Sequence, residues 1–277
     1  MIIHPIAKVN LGLNVVERRP DGYHNLQTVF YPINIKDTLE VFPMADSFPS
    51  PIDCDIKVTN IPVEGDEQRN LVVRAYNLLK QDFPTLPRLH AHLYKGIPTQ
   101  AGMGGGSSDA SAMLLLLNKA YTLNLSDEQL ITYAAQLGAD CPFFILNHPV
   151  YAEGIGEQMT PIDINLSDWH IAVVRPDIPV PTKEAFAHIT PAYPKKNCKD
   201  IVMQPVETWR KELTNDFEQS VFALHPELAA IKEQLYQHGA TYAAMSGSGS
   251  AIFGLFRQPV TLQDTFKDMF TACIKLT

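Results

Sequence analysis

Apolar and polar residues alternate along residues 6–16 and again along 26–35, the period of two that marks a half-buried strand. Between them Pro20, Asp21 and Gly22 have the chemistry of a tight reversal. Shorter apolar runs at 39–41 and 56–58 predict two more strands, joined by a proline-rich connection at 43–53. Residues 70–79 read as a helix with Asn70 as its N-cap. Residues 89–95 alternate cleanly and lead into a glycine run. A helix is expected to begin just after that run, near Ser107 or Ser108. Ala110, Ala112, Met113 and the four leucines 114–117 make it apolar on nearly all sides, the pattern of a central, buried helix. In the next helix Ser126 is followed three residues later by Gln129, a capping-box signature, and Gly138 supplies the stop.

Beyond about residue 155 the pattern changes. It predicts a strand at 169–174 and a helix at 226–238 that opens on Pro226 and ends at Gly239. A strand, a loop of small residues and a second strand follow over 243–256, then a helix at 262–270 and a last strand at 271–276. Strands and helices mix without a regular βαβα rhythm, which places the chain in the α+β class with two lobes, 1–155 and 156–277.

Composition narrows the partners. Of 277 residues 45% are hydrophobic and 19% charged, as in a soluble globular protein. No run of apolar residues is long enough to span a bilayer, and the N-terminus lacks the pattern of a signal peptide. Cys54, Cys141, Cys198 and Cys273 are scattered without a CxxC pair and read as reduced thiols, so a cytoplasmic location is expected. The net charge of −8 argues against nucleic acid as a partner. It leaves room for one small phosphorylated ligand held by local positive potential.

The glycine run has such a use. Glycine fills four of the five positions from Gly102 to Gly106, between a strand and a helix start. A helix start presents unpaired N–H groups and the positive end of its dipole, and glycines let phosphate oxygens approach it closely. Ser107 and Ser108 add hydroxyls that can bond phosphate or a metal ion. No lysine follows the last glycine, so this is not a P-loop. The spacing also fails the Rossmann fingerprint, and no acidic residue ends a second strand about twenty positions later. Lys95, at the end of the preceding strand, is either a phosphate partner or a solvated lysine. His90 and His92 share a strand face but have no evident third ligand and read as solvated.

Two further residues are chemical candidates. Lys8 is the only basic residue in the apolar run 6–16: it either lies on a solvated strand edge or serves as a buried cation. Asp140 follows a helix end among Ala139, Cys141 and Phe143, where it either caps a turn or takes a proton. Burial would raise its pKa and a nearby cation would lower it.

Three segments together resemble the GHMP kinases. They are Ala-Lys-Val-Asn-Leu-Gly-Leu at 7–13, Pro-Thr-Gln-Ala-Gly-Met-Gly-Gly-Gly-Ser-Ser at 98–108, and Met-Ser-Gly-Ser-Gly-Ser-Ala at 245–251. Asp-Gly-Tyr-His at 21–24, Gly-Ala-Asp at 138–140 and Leu-Thr-Asn-Asp-Phe-Glu at 213–218 resemble the branch of that family whose substrate is a cytidine diphosphate alcohol of non-mevalonate isoprenoid synthesis. The resemblance covers nearly the whole chain. It implies a two-lobed GHMP kinase fold, with a ribosomal protein S5 domain 2-like N-terminal lobe and a ferredoxin-like C-terminal lobe. It implies phosphorylation of an alcohol by ATP with Mg²⁺, whose protein ligand is left open between Ser107 and Ser108.

By the same resemblance Lys8 and Asp140 are catalytic. Lys95, Pro98, Thr99, Gln100, Ala101, Gly102, Met103, Gly104, Gly105, Gly106, Ser107 and Ser108 bind ATP. Asn10, Tyr23, His24, Phe30, Thr182, Phe186, Gly247 and Ser248 bind the second substrate, with His24 on the base edge and Phe30 and Phe186 stacking on the ring. The expected partner is a small-molecule cytidine diphosphate substrate, with no nucleic acid or membrane, on a monomer or weak homodimer.

Overall fold

The computed structural model describes residues 1–45 and 47–277, so one position of the proline-rich connection lies outside the described residues. In chain order the strands are β1 (Ile2–Ile3), β2 (Ile6–Arg18), β3 (His24–Lys36), β4 (Thr38–Pro43), β5 (Cys54–Asn60), β6 (Leu89–Lys95), β7 (Val150–Glu153), β8 (Gln158–Pro161), β9 (His170–Arg175), β10 (Tyr242–Met245), β11 (Ile252–Phe256) and β12 (Phe270–Lys275). The helices are α1 (Leu71–Asp82), α2 (Gly105–Ala120), α3 (Asp127–Leu137), α4 (Cys141–Leu146), α5 (Thr182–Phe186), α6 (Cys198–Val202), α7 (Val206–Glu212), α8 (Phe217–Leu224) and α9 (Pro226–Gln237).

The chain divides into two compact units, each assembled from separate pieces. One comprises Met1–Ala7, Ile35–Thr99 and Gly104–Asn147; the other comprises Lys8–Asn34, Gln100–Met103 and His148–Thr277. Division by compactness therefore differs from a single break at 155/156, because most of β2 and β3 groups with the C-terminal half.

In the first unit four strands form a sheet in the order β1-β4-β6-β5, antiparallel except for the parallel pair β5–β6. Alternation sends Leu39, Val41, Ile56, Leu89, Ala91 and Leu93 into one core with α1, α2, α3 and α4. α2 is the central helix, with Ser108–Leu114 all buried. Its apolar girth explains this, since burying each large apolar side chain is worth about 1.5–3 kcal/mol. The expected caps are present. Asn70 accepts from the Val72 amide, and Ser126 and Gln129 form the reciprocal capping box. The connection after β4 is held by Arg88, whose guanidinium donates to the carbonyls of Phe48, Ser50 and Ile52.

The second unit carries two sheets, β2-β3-β7-β8 and β10-β11-β9-β12. Numbering the four strands of the latter by chain order gives 2-3-1-4, the order of a ferredoxin-like lobe. One expected element is missing there: residues 262–269 form turns and no helix. Leu262 and Phe266 are anchored in the core at 3% exposure each, and pairing with Arg175 claims Phe270 for β12. Asp264, Thr265 and Asp268 are weak helix formers, so these anchors prevail over local preference.

Candidate functional site

In the first unit the glycine run becomes the start of α2, two to three residues earlier than the sequence pattern suggests. Gly104 is the N-cap in the left-handed region at φ 69°, and the Ser108 amide bonds its carbonyl. Gly105 and Gly106 are therefore the first helical residues. α1 and α3 are capped by side chains; α2 is capped by none. Its first-turn N–H groups lack intrahelical acceptors by geometry, and the glycines leave them bare. Ser107 is half-buried and Ser108 buried. A small cavity of about 160 Å³ touches Ser108, lined by His4, Ala112, Leu115, Phe144 and Asn147 among others.

Lys95 is not solvated. Its ammonium is 2% exposed and bonds the carboxylates of Asp37 and Asp109, the latter at 2.8 Å. Burial works against its charge, but the two carboxylates outweigh burial and raise its pKa. Burial also pushes the Asp109 carboxyl well above the usual range against the pull of Lys95, and its Oδ1 has no hydrogen-bond partner. Asp37 Oδ1 accepts the amides of Gly96 and Ile97 at 2.6 and 2.8 Å. The triad thus fastens the end of β6 and the strand-to-loop turn to α2. Lys95 acts on the loop as a buried strut, which excludes the solvated alternative, and its ammonium stands beside the start of α2, where a Cβ on Gly105 would lie 3.2 Å from it. Asp37 and Asp109 were missed in the sequence. The signal was there: an aspartate opening an otherwise apolar helix implies a buried partner.

Asp140 occupies the N-cap position of α4 and is half-buried, without a side-chain capping bond. Ser111 Oγ on α2 donates to the Cys141 carbonyl at 2.8 Å, which ties this helix start to the central helix. Burial pushes the Cys141 thiol up to about 11, so it stays protonated at neutral pH. A Cβ on Gly138 would approach Ser107 Oγ to 4.0 Å, so the Gly-Ala-Asp turn runs close to the start of α2.

In the second unit Lys8 is 4% exposed, which settles its position as buried. Its ammonium donates to Asn10 Oδ1 at 2.6 Å and stands 4.8 Å from the centroid of the Phe30 ring. Asn10 Nδ2 donates to Thr28 Oγ1, which donates to the Gly12 carbonyl, so the Asn10 amide is fixed in orientation. Phe30 is 3% exposed, with the Lys8 ammonium over its ring. Tyr23 is 61% exposed, and the Pro-Asp-Gly turn holds its backbone through Asp21 and Arg19. His24 stacks on Phe186 with centroids 4.7 Å apart, and Phe217 meets Phe186 at right angles. Burial, then the charge of Arg18, lowers the His24 pKa, leaving a neutral ring at neutral pH. Thr182 and Ser248 share a hydroxyl contact at 3.3 Å.

Residues 100–103 pack within this same unit. Ser246 Oγ donates to the Gly102 carbonyl, the Lys8 amide to the Met103 carbonyl, and the Ala251 amide to the Ala101 carbonyl. The approach is so close that a Cβ on Gly102 would lie 1.9 Å from the Ser246 carbonyl oxygen, at φ +70°. Gly102→Ala is therefore expected to destabilise the protein by about 2–4 kcal/mol, from left-handed strain and displaced backbone. Gly106→Ala, where a Cβ meets only Leu71 Cδ1 at 3.7 Å, should stay within about 1 kcal/mol of the parent. Urea midpoints of the two variants check the contrast; equal midpoints would contradict it.

The model for the GHMP kinases N terminal domain matches residues 70–148, and that for the GHMP kinases C terminal matches 199–271. A 4-diphosphocytidyl-2-C-methyl-D-erythritol kinase from Bacteroides fragilis is 51% identical over 256 residues, covering 92% of each chain. One from Bacteroides thetaiotaomicron is 49% identical over 277 residues, covering 99% of each. A crystal structure of 4-(cytidine 5'-diphospho)-2C-methyl-D-erythritol kinase superposes over the full length of both chains with a TM-score of 0.84 at 30% identity.

Proposed function

The chain belongs to the GHMP kinases, with their α+β fold, and is a kinase; from that premise we propose that it transfers the γ-phosphoryl group of ATP to the 2-hydroxyl of 4-diphosphocytidyl-2-C-methyl-D-erythritol in non-mevalonate isoprenoid synthesis. The observation that carries this reading is the near-full-length likeness to relatives bearing that name, at about half identity. In this reading the protein works in the cytoplasm on soluble metabolites, as a monomer or weak homodimer.

The roles follow from the chemistry. Asp140 accepts the proton of the acceptor hydroxyl as its oxygen attacks phosphorus and the bond to ADP breaks. Lys8, held by Asn10, offsets the negative charge that develops at the acceptor oxygen. The bare first turn of α2, with Gly104, Gly105, Gly106 and Ser107, receives nucleotide phosphates. Residues 98–103 and Ser108 shape that loop. Asn10, Gly247, Ser248 and Thr182 line the path of the substrate diphosphate. At the cytidine end Tyr23 offers an open ring. The neutral His24 ring offers one donor and one acceptor to the base edge, and its stack on Phe186 must part or slide for a base to lie there.

Mg²⁺ fits only in part. No group of three or more His, Cys, Asp or Glu among the described residues could hold it. The ion would draw most ligands from phosphates and water, as Mg²⁺ commonly does, with the Ser107 hydroxyl as the available protein oxygen. Bound there, it would supply charge neutralisation to the phosphates.

The test is incubation with ATP, Mg²⁺ and 4-diphosphocytidyl-2-C-methyl-D-erythritol. ADP and the 2-phosphate product are expected in equal amounts. Turnover on mevalonate or homoserine alone would overturn the substrate.

A further inference from the structure

The segment Thr214–Glu218 is assigned no part in the reaction above, yet it grips two working pieces of the second unit at once. On one side it holds β2. The Leu13 amide donates to the Thr214 carbonyl, the Asp216 amide to the Leu13 carbonyl, and the Val15 amide to Asp216 Oδ2 at 2.8 Å. On the other side it holds the turn after β10. Asn215 Nδ2 donates to the carbonyls of Met245 and Gly247, both at 2.8 Å, and the Met245 amide donates to Glu218 Oε1 at 2.8 Å. Asn215 is 3% exposed, and its Oδ1 accepts the Phe217 amide. Both hydrogens of its amide are therefore used on the turn, and its oxygen fixes which way the amide faces.

The turn it holds is the one that faces Asn10. A Cβ on Gly247 would stand 3.5 Å from Asn10 Oδ1, the oxygen that accepts from the Lys8 ammonium. The same turn bonds Gly102 through Ser246. We infer that Asn215 is a positioning residue for the reaction: by fixing the 245–247 turn against β2 it holds Asn10, and through Asn10 the Lys8 ammonium, at the place where the acceptor oxygen reacts. This rests on the reading of Lys8 under Proposed function. Asn10 is bonded to Thr28 on one side and faces Gly247 across a gap that a single Cβ would fill, so displacing the turn changes one wall of its site. Misplacement of a reacting group by about 1 Å can lower turnover about 10²-fold.

Asn215→Asp isolates the effect, because it keeps the shape and replaces the donor with an oxygen facing two carbonyls. Asn215→Leu removes all three bonds. For Asn215→Asp, kcat is expected to fall about 10-fold or more while KM for ATP moves less than about 3-fold, below the temperature where either protein unfolds. Exchange of the amide hydrogens of Ser246, Gly249 and Ala251 should speed about 10-fold or more, with β9 and β11 unchanged. Asn215→Leu should show both effects more strongly. Retained kcat in a folded variant, an equal loss through KM, or unchanged exchange in the turn would each overturn the inference. Absence of turnover by the wild-type protein would instead overturn the substrate reading, and the exchange measurement would still decide whether Asn215 holds the turn.

Discussion

Replacing Asp140 with asparagine is expected to lower kcat by about 10²-fold or more with the fold intact. The substitution is nearly isosteric, and several neighbouring contacts hold this region. α4 begins without a side-chain cap from Asp140 and carries Pro142 in its first turn. Cys141, Pro142, Phe143 and Phe144 are buried, and Ser111 on α2 holds the Cys141 carbonyl. The carboxylate makes no capping bond to α4, and its neutralisation should register in the chemistry. Asparagine offers no basic oxygen to the acceptor hydroxyl, so the proton must leave to water. Initial rates at saturating ATP, set beside a thermal melt, give the answer. A folded variant with turnover within a few-fold of the parent would remove Asp140 from the mechanism.

Lys8→Met is expected to slow the chemical step by about 10²-fold while leaving KM for ATP near its parent value. Methionine retains an unbranched stem that can lie over Phe30, so packing is largely kept. The charge is lost, and Asn10 Oδ1 loses the donor now 2.6 Å away. Leaving that buried acceptor unpaired should destabilise the fold by about 1–3 kcal/mol, a separate effect read by denaturant titration. The division between kcat and KM is the informative result. A loss confined to nucleotide affinity would move Lys8 from the reacting oxygen to phosphate binding.

The long periodic elements were legible because one local signal decided each. Asn70, Ser126 with Gln129, and the alternation of 89–95 all act within a few residues, and all took the predicted form. The glycine run was legible as a helix start, though its boundary was not: Gly105 and Gly106 have low helix propensity, yet the left-handed Gly104 begins the helix before them. The 262–270 helix failed because core anchoring of Leu262 and Phe266 and strand pairing at Phe270 override a weak local preference. The partners of Lys95 and Phe30 were hidden for a related reason. Asp37 lies 58 positions from Lys95, and no short-range pattern announces a contact at that distance. The motifs that hold Lys8, Asn10 and Gly247 were legible, whereas the burial and the carboxylate partners of Lys95 were not.

The interleaving of the two compact units bears on how the chain can be made. Val15 waits for Asp216, 201 residues downstream, and Leu13 and Val15 share a core with Ala172, Val174 and Ile252. During synthesis the first long strand leaves the ribosome well before any of those partners exists. A fragment ending near residue 155 would leave that strand paired to β3 but with its other edge and its apolar side chains uncovered, ready to join another chain. Expression of the N-terminal half alone should therefore give aggregate, and a split form of this protein would have to carry residues 8–34 on the C-terminal piece.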